Sequence, residues 1–261
     1  MKNIAIFEKH NDSESKSFKD AFEKLLGNDF NCFSLENSNE KPDLIVVFGG
    51  DGTILKVAPK ALELNVPILS VNTGTVGFLS GYESNDLEKC VDDIKNNKFL
   101  VSERSVLKVE TNGKVYTALN DAVIERDRSI EGMTIVSKLD VSIDSQLVYN
   151  LSSDGVIVST PTGSTAYSLS AGGAVLTPVL KSFIVTPICP HSLGTRPVVY
   201  DDQSRLTVKI CHNSCDCVLS VDGKPVEKLG FSSEVTVSKY EKHLKIIDNN
   251  SNFYKKIHNK L

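Results

Sequence analysis

The pattern of apolar residues changes near Ser105, and that change restricts the chain to two differently built regions. Before it, strand-like and helix-like segments alternate. Residues 2–7 read as a short strand. Residues 15–26 follow with Phe18, Ala21, Phe22, Leu25 and Leu26 at helical spacing, and Gly27 ends them. The runs at 44–48 and 66–71 are continuously apolar, as strands covered on both faces require, and a helix starting near Thr53 separates them. A further amphipathic helix is expected over 85–95, capped by Ser84, with Leu87, Cys90, Val91 and Ile94 turned inward. Alternation of this kind over residues 1–100 points to a parallel α/β domain.

From Ser105 onward the texture is that of short strands: VLKVE, VYTAL, DAVIE, an alternating stretch over 133–151, GVIVST, FIVTPI, RPVVY, RLTVKI, VLSV and EVTV. Strands in series with turn residues between them predict a second, mainly β domain over 101–239. A turn over 249–252 precedes a short basic tail. Residues 240–261 are expected to return to the first domain, the tail as a helix.

With 261 residues, 40% of them hydrophobic and 24% charged, the chain has the make-up of a soluble globular protein. A formal charge of -4 argues against coating nucleic acid. No run reaches the ~18 apolar residues of a spanning helix, and the N-terminus lacks the pattern of a signal peptide, so neither a membrane partner nor export is expected and a cytoplasmic location is. The six cysteines are scattered, which suits reduced thiols. Residues 211–217 (CHNSCDC) read as a hairpin turn bearing thiols between LTVKI and VLSV; a zinc site there would need a fourth ligand nearby.

Two segments carry chemistry. Gly49-Gly50-Asp51-Gly52-Thr53 directly follows a buried strand and opens a helix. Glycines let the backbone approach a ligand, the helix N-terminus favours phosphate oxygens, and a carboxylate there can receive a hydroxyl proton. A tight turn with Asp51 as helix cap fits the same residues equally well. The second segment runs from Ser159 to Gly173. Its small residues leave room for a ligand, its hydroxyls and amides offer hydrogen bonds, and Tyr167 supplies a flat surface.

Taken with Asn120-Asp121, the run 72–79 (NTGTVGFL) and the run 186–192 (TPICPHS), these segments make the chain resemble the NAD kinase family in order along nearly its whole length. The GGDGT motif alone is shared with lipid kinases, whereas the combination is specific. The resemblance implies a Rossmann-like N-terminal α/β domain and a β-rich, sandwich-like C-terminal domain that binds NAD, assembled as a homodimer or homotetramer. It implies phosphorylation of the 2′-hydroxyl of the adenosine ribose of NAD by ATP, or by polyphosphate, to give NADP, with Mg²⁺ or another divalent cation bridging the donor's phosphates.

The resemblance also assigns roles. Asp51 would face the 2′-hydroxyl as proton acceptor, and Gly49, Gly50, Gly52 and Thr53 would admit phosphates. Lys56, one turn further, is a candidate phosphate contact, with a solvated helix face as the alternative. Asn120 and Asp121 would grip ribose hydroxyls, although their spacing by itself favours a turn. Phe78 would lie against the adenine, or be a core aromatic. Thr162, Thr165, Ala166, Tyr167, Ser168 and Leu169 would line the adenine and ribose pocket, with Asp154 and Ser170 at the nicotinamide end. The chain departs from many relatives at Lys224, where glutamine is common, and at Ser152, where some bacterial relatives carry a basic residue. A lipid kinase built on GGDGT and an NAD-binding sensor without activity are the competing readings.

Overall fold

The computed structural model describes all residues except 1, 10–11, 37, 39, 75–76, 130–135, 249–252 and 261. The turn expected over 249–252 and the first residues of the stretch expected from 133 lie outside the described residues. By internal contacts the chain divides into two units: Met1–Arg104 with His243–Leu261, and Ser105–Lys242.

The first unit opens with β1 (Asn3–Glu8), α1 (Ser13–Leu26), β2 (Asn31–Ser34), β3 (Leu44–Phe48), α2 (Asp51–Leu64), β4 (Ile68–Asn72), β5 (Tyr82–Glu83), α3 (Leu87–Lys95) and β6 (Leu100–Arg104). The second unit contains β7 (Leu107–Thr111), β8 (Lys114–Ala118), β9 (Asp121–Arg126), β10 (Ser137–Ile143), β11 (Gln146–Ser153), β12 (Gly155–Ser159), the single turn α4 (Tyr167–Ser170), β13 (Ser182–Ile188), β14 (Val198–Asp201), β15 (Leu206–Ile210), β16 (Cys217–Val221), β17 (Lys224–Leu229) and β18 (Glu234–Lys239). The chain then re-enters the first unit with β19 (Leu244–Asp248) and α5 (Phe253–Lys260).

The first unit is a sheet in the order β2-β1-β3-β4-β19-β6, with β5 added alongside β4; every pairing is parallel except β19 with β6. All residues of β3 and β4 are buried, which explains the unbroken apolar run of β3 and the mainly apolar one of β4, where Ser70 and Asn72 are the buried polar residues. Phe22 and Leu26 of α1 and Leu87, Cys90, Val91 and Ile94 of α3 pack with Ile4, Ile6, Leu44, Val46, Phe48, Leu69 and Val71 of the sheet. From β1 the chain moves outward to β2, and from β3 it moves the other way to β4. The reversal leaves a crevice at the carboxyl ends of β1 and β3, where open α/β sheets bind ligands. Gly49-Gly50-Asp51-Gly52 follows β3 at that point.

The second unit is a mainly β body of two antiparallel six-stranded sheets, β11-β10-β15-β18-β7-β8 and β14-β13-β12-β9-β16-β17. One core joins them: Leu107, Val109, Leu139, Val141, Val208, Val235 and Val237 from the first sheet meet Ile124, Val156, Val158, Phe183, Val185 and Leu219 from the second.

Some expectations need correction. Residues 84–86 form a 3₁₀ turn and Asp86 occupies the N-cap of α3, so Ser84 begins that turn rather than capping the helix. The alternating stretch to Leu151 is a hairpin, because Asp144 and Ser145 take positive φ and reverse the chain without interrupting its alternation. The thiol-bearing segment 211–216 is not a hairpin turn: β15 pairs with β10 and β18, β16 with β9 and β17, so it crosses from one sheet to the other. Turn residues between two alternating runs look alike in either case. Among the described residues no group of three or more His, Cys, Asp and Glu is placed to hold a metal ion, and no helix is long and apolar enough to cross a membrane.

Candidate functional site

Candidate residues gather in two constellations, one in each unit. In the first, Gly49 donates its N–H to the Val71 carbonyl (3.1 Å), locking the end of β3 to β4. Gly50 is the N-cap of α2 and brings no side chain to that task, while its carbonyl accepts from Thr53 and Ile54. The reading of Asp51 as helix cap therefore fails. Asp51 is the first helical residue, and its carboxylate turns away from its own helix. One oxygen accepts the Phe78 N–H at 2.8 Å and the other the Leu79 N–H at 3.1 Å. Gly77 lies so close that a Cβ on it would collide with the Asp51 carboxylate and stand 2.6 Å from Ser80 Oγ. Each carboxylate oxygen keeps a lone pair for a further donor.

Gly52 is open, with nothing near the place of a side chain, and both Gly52 and Lys56 are solvent-exposed on α2. Thr53 is buried beneath Gly49. The half-buried Phe78 ring has its centroid 6.3 Å from that of Phe253, and the Lys260 ammonium lies 4.8 Å from the same ring. The free amides at the start of α2, its dipole, the half-buried Gly50 and the exposed Gly52 form a surface suited to phosphate oxygens.

In the second unit, Leu119 and Asn120 make the step from β8 in one sheet to β9 in the other. Asp222, in the β16–β17 turn, holds this corner by accepting the N–H groups of Leu119 (2.9 Å), Asn120 (2.7 Å) and Asp121 (3.2 Å). The segment after β12 clasps the corner from its other side. Thr160 N–H and Ser159 Oγ donate to the Asn120 carbonyl (2.9 and 3.1 Å), and Thr160 Oγ1 donates to the Leu119 carbonyl (2.5 Å). Thr162 is buried; Thr165, Ala166 and Leu169 are half-buried; Tyr167 and Ser170 are exposed. Ser168 points into the interior, its hydroxyl 2.9 Å from Thr186 Oγ1, and so pins the segment to β13. Asp154 forms ion pairs with Arg126 (3.1 Å) and Arg128 (3.8 Å).

Asp222 escaped the sequence reading. The run 221–224 drew attention only for Lys224, and the available signal was a carboxylate directly before Gly223 in a tight turn, a pattern common to many turns.

Burial pushes the Asp121 carboxyl up to about 7, and the negative charge of Asp222 adds to the shift. Burial raises Asp222 as well, but three backbone amides and Lys224 favour its ionised form. Asp121 is thus the member of the pair that takes up a proton first as pH falls. Its folded value exceeds the ~3.9 of a free Asp. Ionisation therefore costs the fold nothing below that pH, progressively more on the way to 7, and the full amount above it. Asp121→Asn is expected to raise the melting temperature at pH 8, by ~2–4 °C for each kcal/mol relieved, and by less at pH 5. A variant that melts below the parent at pH 8 would rule out this electrostatic cost.

Residues 4–99 match the ATP-NAD kinase N-terminal domain and residues 119–249 the ATP-NAD kinase C-terminal domain. This chain belongs to the NAD kinase family. Among its relatives in that family, the NAD kinase of Chloroherpeton thalassium is 37% identical over 84% of this chain and 77% of its own length. That of Methanothermobacter thermautotrophicus is 34% identical over 85% and 77%. Two solved NAD kinase-type structures have the same fold. Yeast NADH kinase complexed with NADH superposes with a TM-score of 0.86 at 27% identity, covering all of this chain and 87% of that one. An Archaeoglobus fulgidus NAD kinase in complex with ATP gives 0.78 at 26% identity, covering 98% and 97%. The GGDGT constellation lies within the stretch matched by the N-terminal domain, and Asn120-Asp121 within that matched by the C-terminal domain.

Proposed function

We propose that the chain transfers the terminal phosphoryl group of ATP to the 2′-hydroxyl of the adenosine ribose of NAD, forming NADP. The observation that carries this reading is the Asp51 carboxylate, aimed by two backbone amides at the glycine-lined start of α2, in a chain matched along both halves by NAD kinase domains. Asp51 accepts the hydroxyl proton as the ribose oxygen bonds to phosphorus and ADP departs. A carboxylate is a modest base at neutral pH, so positioning and neutralisation of charge supply most of the acceleration.

Gly50 and Gly52 take the donor phosphates, with Lys56 as an added cation at their margin, while Gly49 and Thr53, buried and with their N–H groups already bonded to the carbonyls of Val71 and Gly50, shape the turn from beneath. Asn120 and Asp121 hold ribose hydroxyls, and the bonds that Asp222 and Thr160 make to their backbone keep both side chains in place. Phe78 stacks on adenine. Thr162, Thr165, Ala166, Tyr167 and Leu169 line the adenosine pocket, and Ser168 anchors it from within. Asp154 and Ser170 serve the nicotinamide end. A divalent cation, Mg²⁺ foremost, fits a chain whose described residues offer no cage of three ligands, because Mg²⁺ binds largely through phosphates, water and one or two carboxylates. Asp51 is the carboxylate that would help hold such a cation, which would supply neutralisation of the phosphate charge. A cytoplasmic homodimer or homotetramer is the assembly that goes with this reading.

A coupled assay with NAD, ATP and Mg²⁺ tests the reaction. NADP formation that stops on chelation of the metal is the expected result. Tight NAD binding without turnover would replace the kinase by a sensor, and failure of both would remove the reading altogether. Substituting polyphosphate for ATP in the same assay settles the donor.

A further inference from the structure

The C-terminal helix engages the same loop that aims Asp51. The Lys256 ammonium donates to the Ser80 carbonyl at 2.7 Å and to the Phe78 carbonyl at 3.2 Å. The loop is therefore held by charges of opposite sign: the Asp51 carboxylate takes the N–H groups of Phe78 and Leu79, and the Lys256 ammonium takes the carbonyls of Phe78 and Ser80. These four bonds hold three peptide groups of the loop: 77–78, 78–79 and 80–81. Burial lowers the Lys256 pKa, and attraction to Asp248 and Asp51 opposes that shift. Retaining a partly desolvated cation has a cost, which charge-assisted bonds to the two carbonyls offset. α5 itself has no buried residue, so the lysine does more than complete a packed face.

We propose that Lys256 is a positioning residue for phosphoryl transfer: through the carbonyls of Phe78 and Ser80 it fixes the loop whose amides orient the Asp51 carboxylate. The proposal rests on the role given to Asp51 above. A displaced carboxylate meets the hydroxyl in the wrong geometry, and reaction rate responds to such misplacement far more steeply than binding does. The Phe78 ring also meets that of Phe253, centroids 6.3 Å apart, a contact made without the lysine, so NAD affinity is expected to be largely spared.

The test compares Lys256→Met, which keeps the apolar stem, with Lys256→Arg, which keeps donors for both carbonyls. For Lys256→Met, kcat is expected to fall about tenfold, while the Kd of NAD by calorimetry stays within about threefold and the melting temperature within a few degrees of the parent. Lys256→Arg is expected to recover most of kcat. An unchanged kcat in Lys256→Met overturns the proposal. So does a loss that Lys256→Arg shares in full, or one matched by equal losses of NAD affinity and thermal stability, because simple anchoring of α5 then accounts for it. A parent protein that forms no NADP overturns instead the reading of Asp51, and is told apart by needing no variant.

Discussion

Asp51→Asn is expected to lower kcat for NADP formation by ~10²–10⁴-fold, the range for loss of a positioned proton acceptor, while NAD still binds. Two effects combine. The amide has no basic lone pair comparable with that of a carboxylate, so the hydroxyl proton loses its destination. The substitution also disturbs the loop: both oxygens of Asp51 accept a backbone N–H, from Phe78 and Leu79, and an amide can accept at only one of them. Its NH₂ group then faces a donor, which leaves one N–H unsatisfied at a cost of ~1–3 kcal/mol. A single-turnover assay beside calorimetry for NAD separates chemistry from binding. Activity within threefold of the parent would remove Asp51 from the catalytic step.

A second large effect is expected from a single methyl group. Gly163→Ala would place a Cβ against the Asn120 carbonyl oxygen and within 2.5 and 2.6 Å of the carbonyl carbon and Cα of the same residue. All three are backbone atoms, so no rotamer change relieves the clash. The corner at 119–121 cannot retreat freely either, since Asp222 grips its amides from the other side. Overpacking of this kind costs ~1–3 kcal/mol or more. The displaced atoms belong to the pair assigned to the ribose, so NAD affinity should fall at least about tenfold along with the melting temperature. Gly194→Ala is the matched control. Its Cβ would meet nothing nearer than Ser192 Oγ at 4.0 Å, and a change within about ±0.5 kcal/mol is expected. Equal behaviour of the two variants, by thermal melting and NAD titration, would show that the contact between Gly163 and Asn120 has no functional weight.

Local pattern carried much of the architecture. The apolar runs of β3 and β4 announced strands covered on both faces, α1 and α3 were legible from the helical spacing of their apolar side chains, and α2 only from its place between two such strands. The short β2, with only Cys32 and Phe33 as apolar residues, was too polar and brief to register. β19 and β6 form an antiparallel pair between segments far apart in the chain, and nothing in either one names its partner. The same limit turned the segment 211–216 into a supposed hairpin: its flanking strands alternate as hairpin strands do, yet each buries its apolar residues from a different sheet.

The candidate site divides along the same line. Local sequence pointed to two candidate segments, a lone carboxylate among glycines after a buried strand and a long run of small hydroxyl-bearing residues, whereas Asn120-Asp121, which reads locally as a turn, was singled out only by the family resemblance. It did so because glycine, carboxylate and hydroxyl chemistry are properties of the residues and their immediate neighbours. What holds these residues is set by contacts between distant parts of the chain. Asp51 leaves its own helix for amides 27 and 28 residues away, Asp222 holds a corner 101 to 103 residues distant, and Lys256 reaches carbonyls 176 and 178 residues earlier. Periodicity and turn chemistry act over a few residues. Which amide or carbonyl finds a charged partner at such separations depends on the order of strands in a sheet and the path of the chain between them.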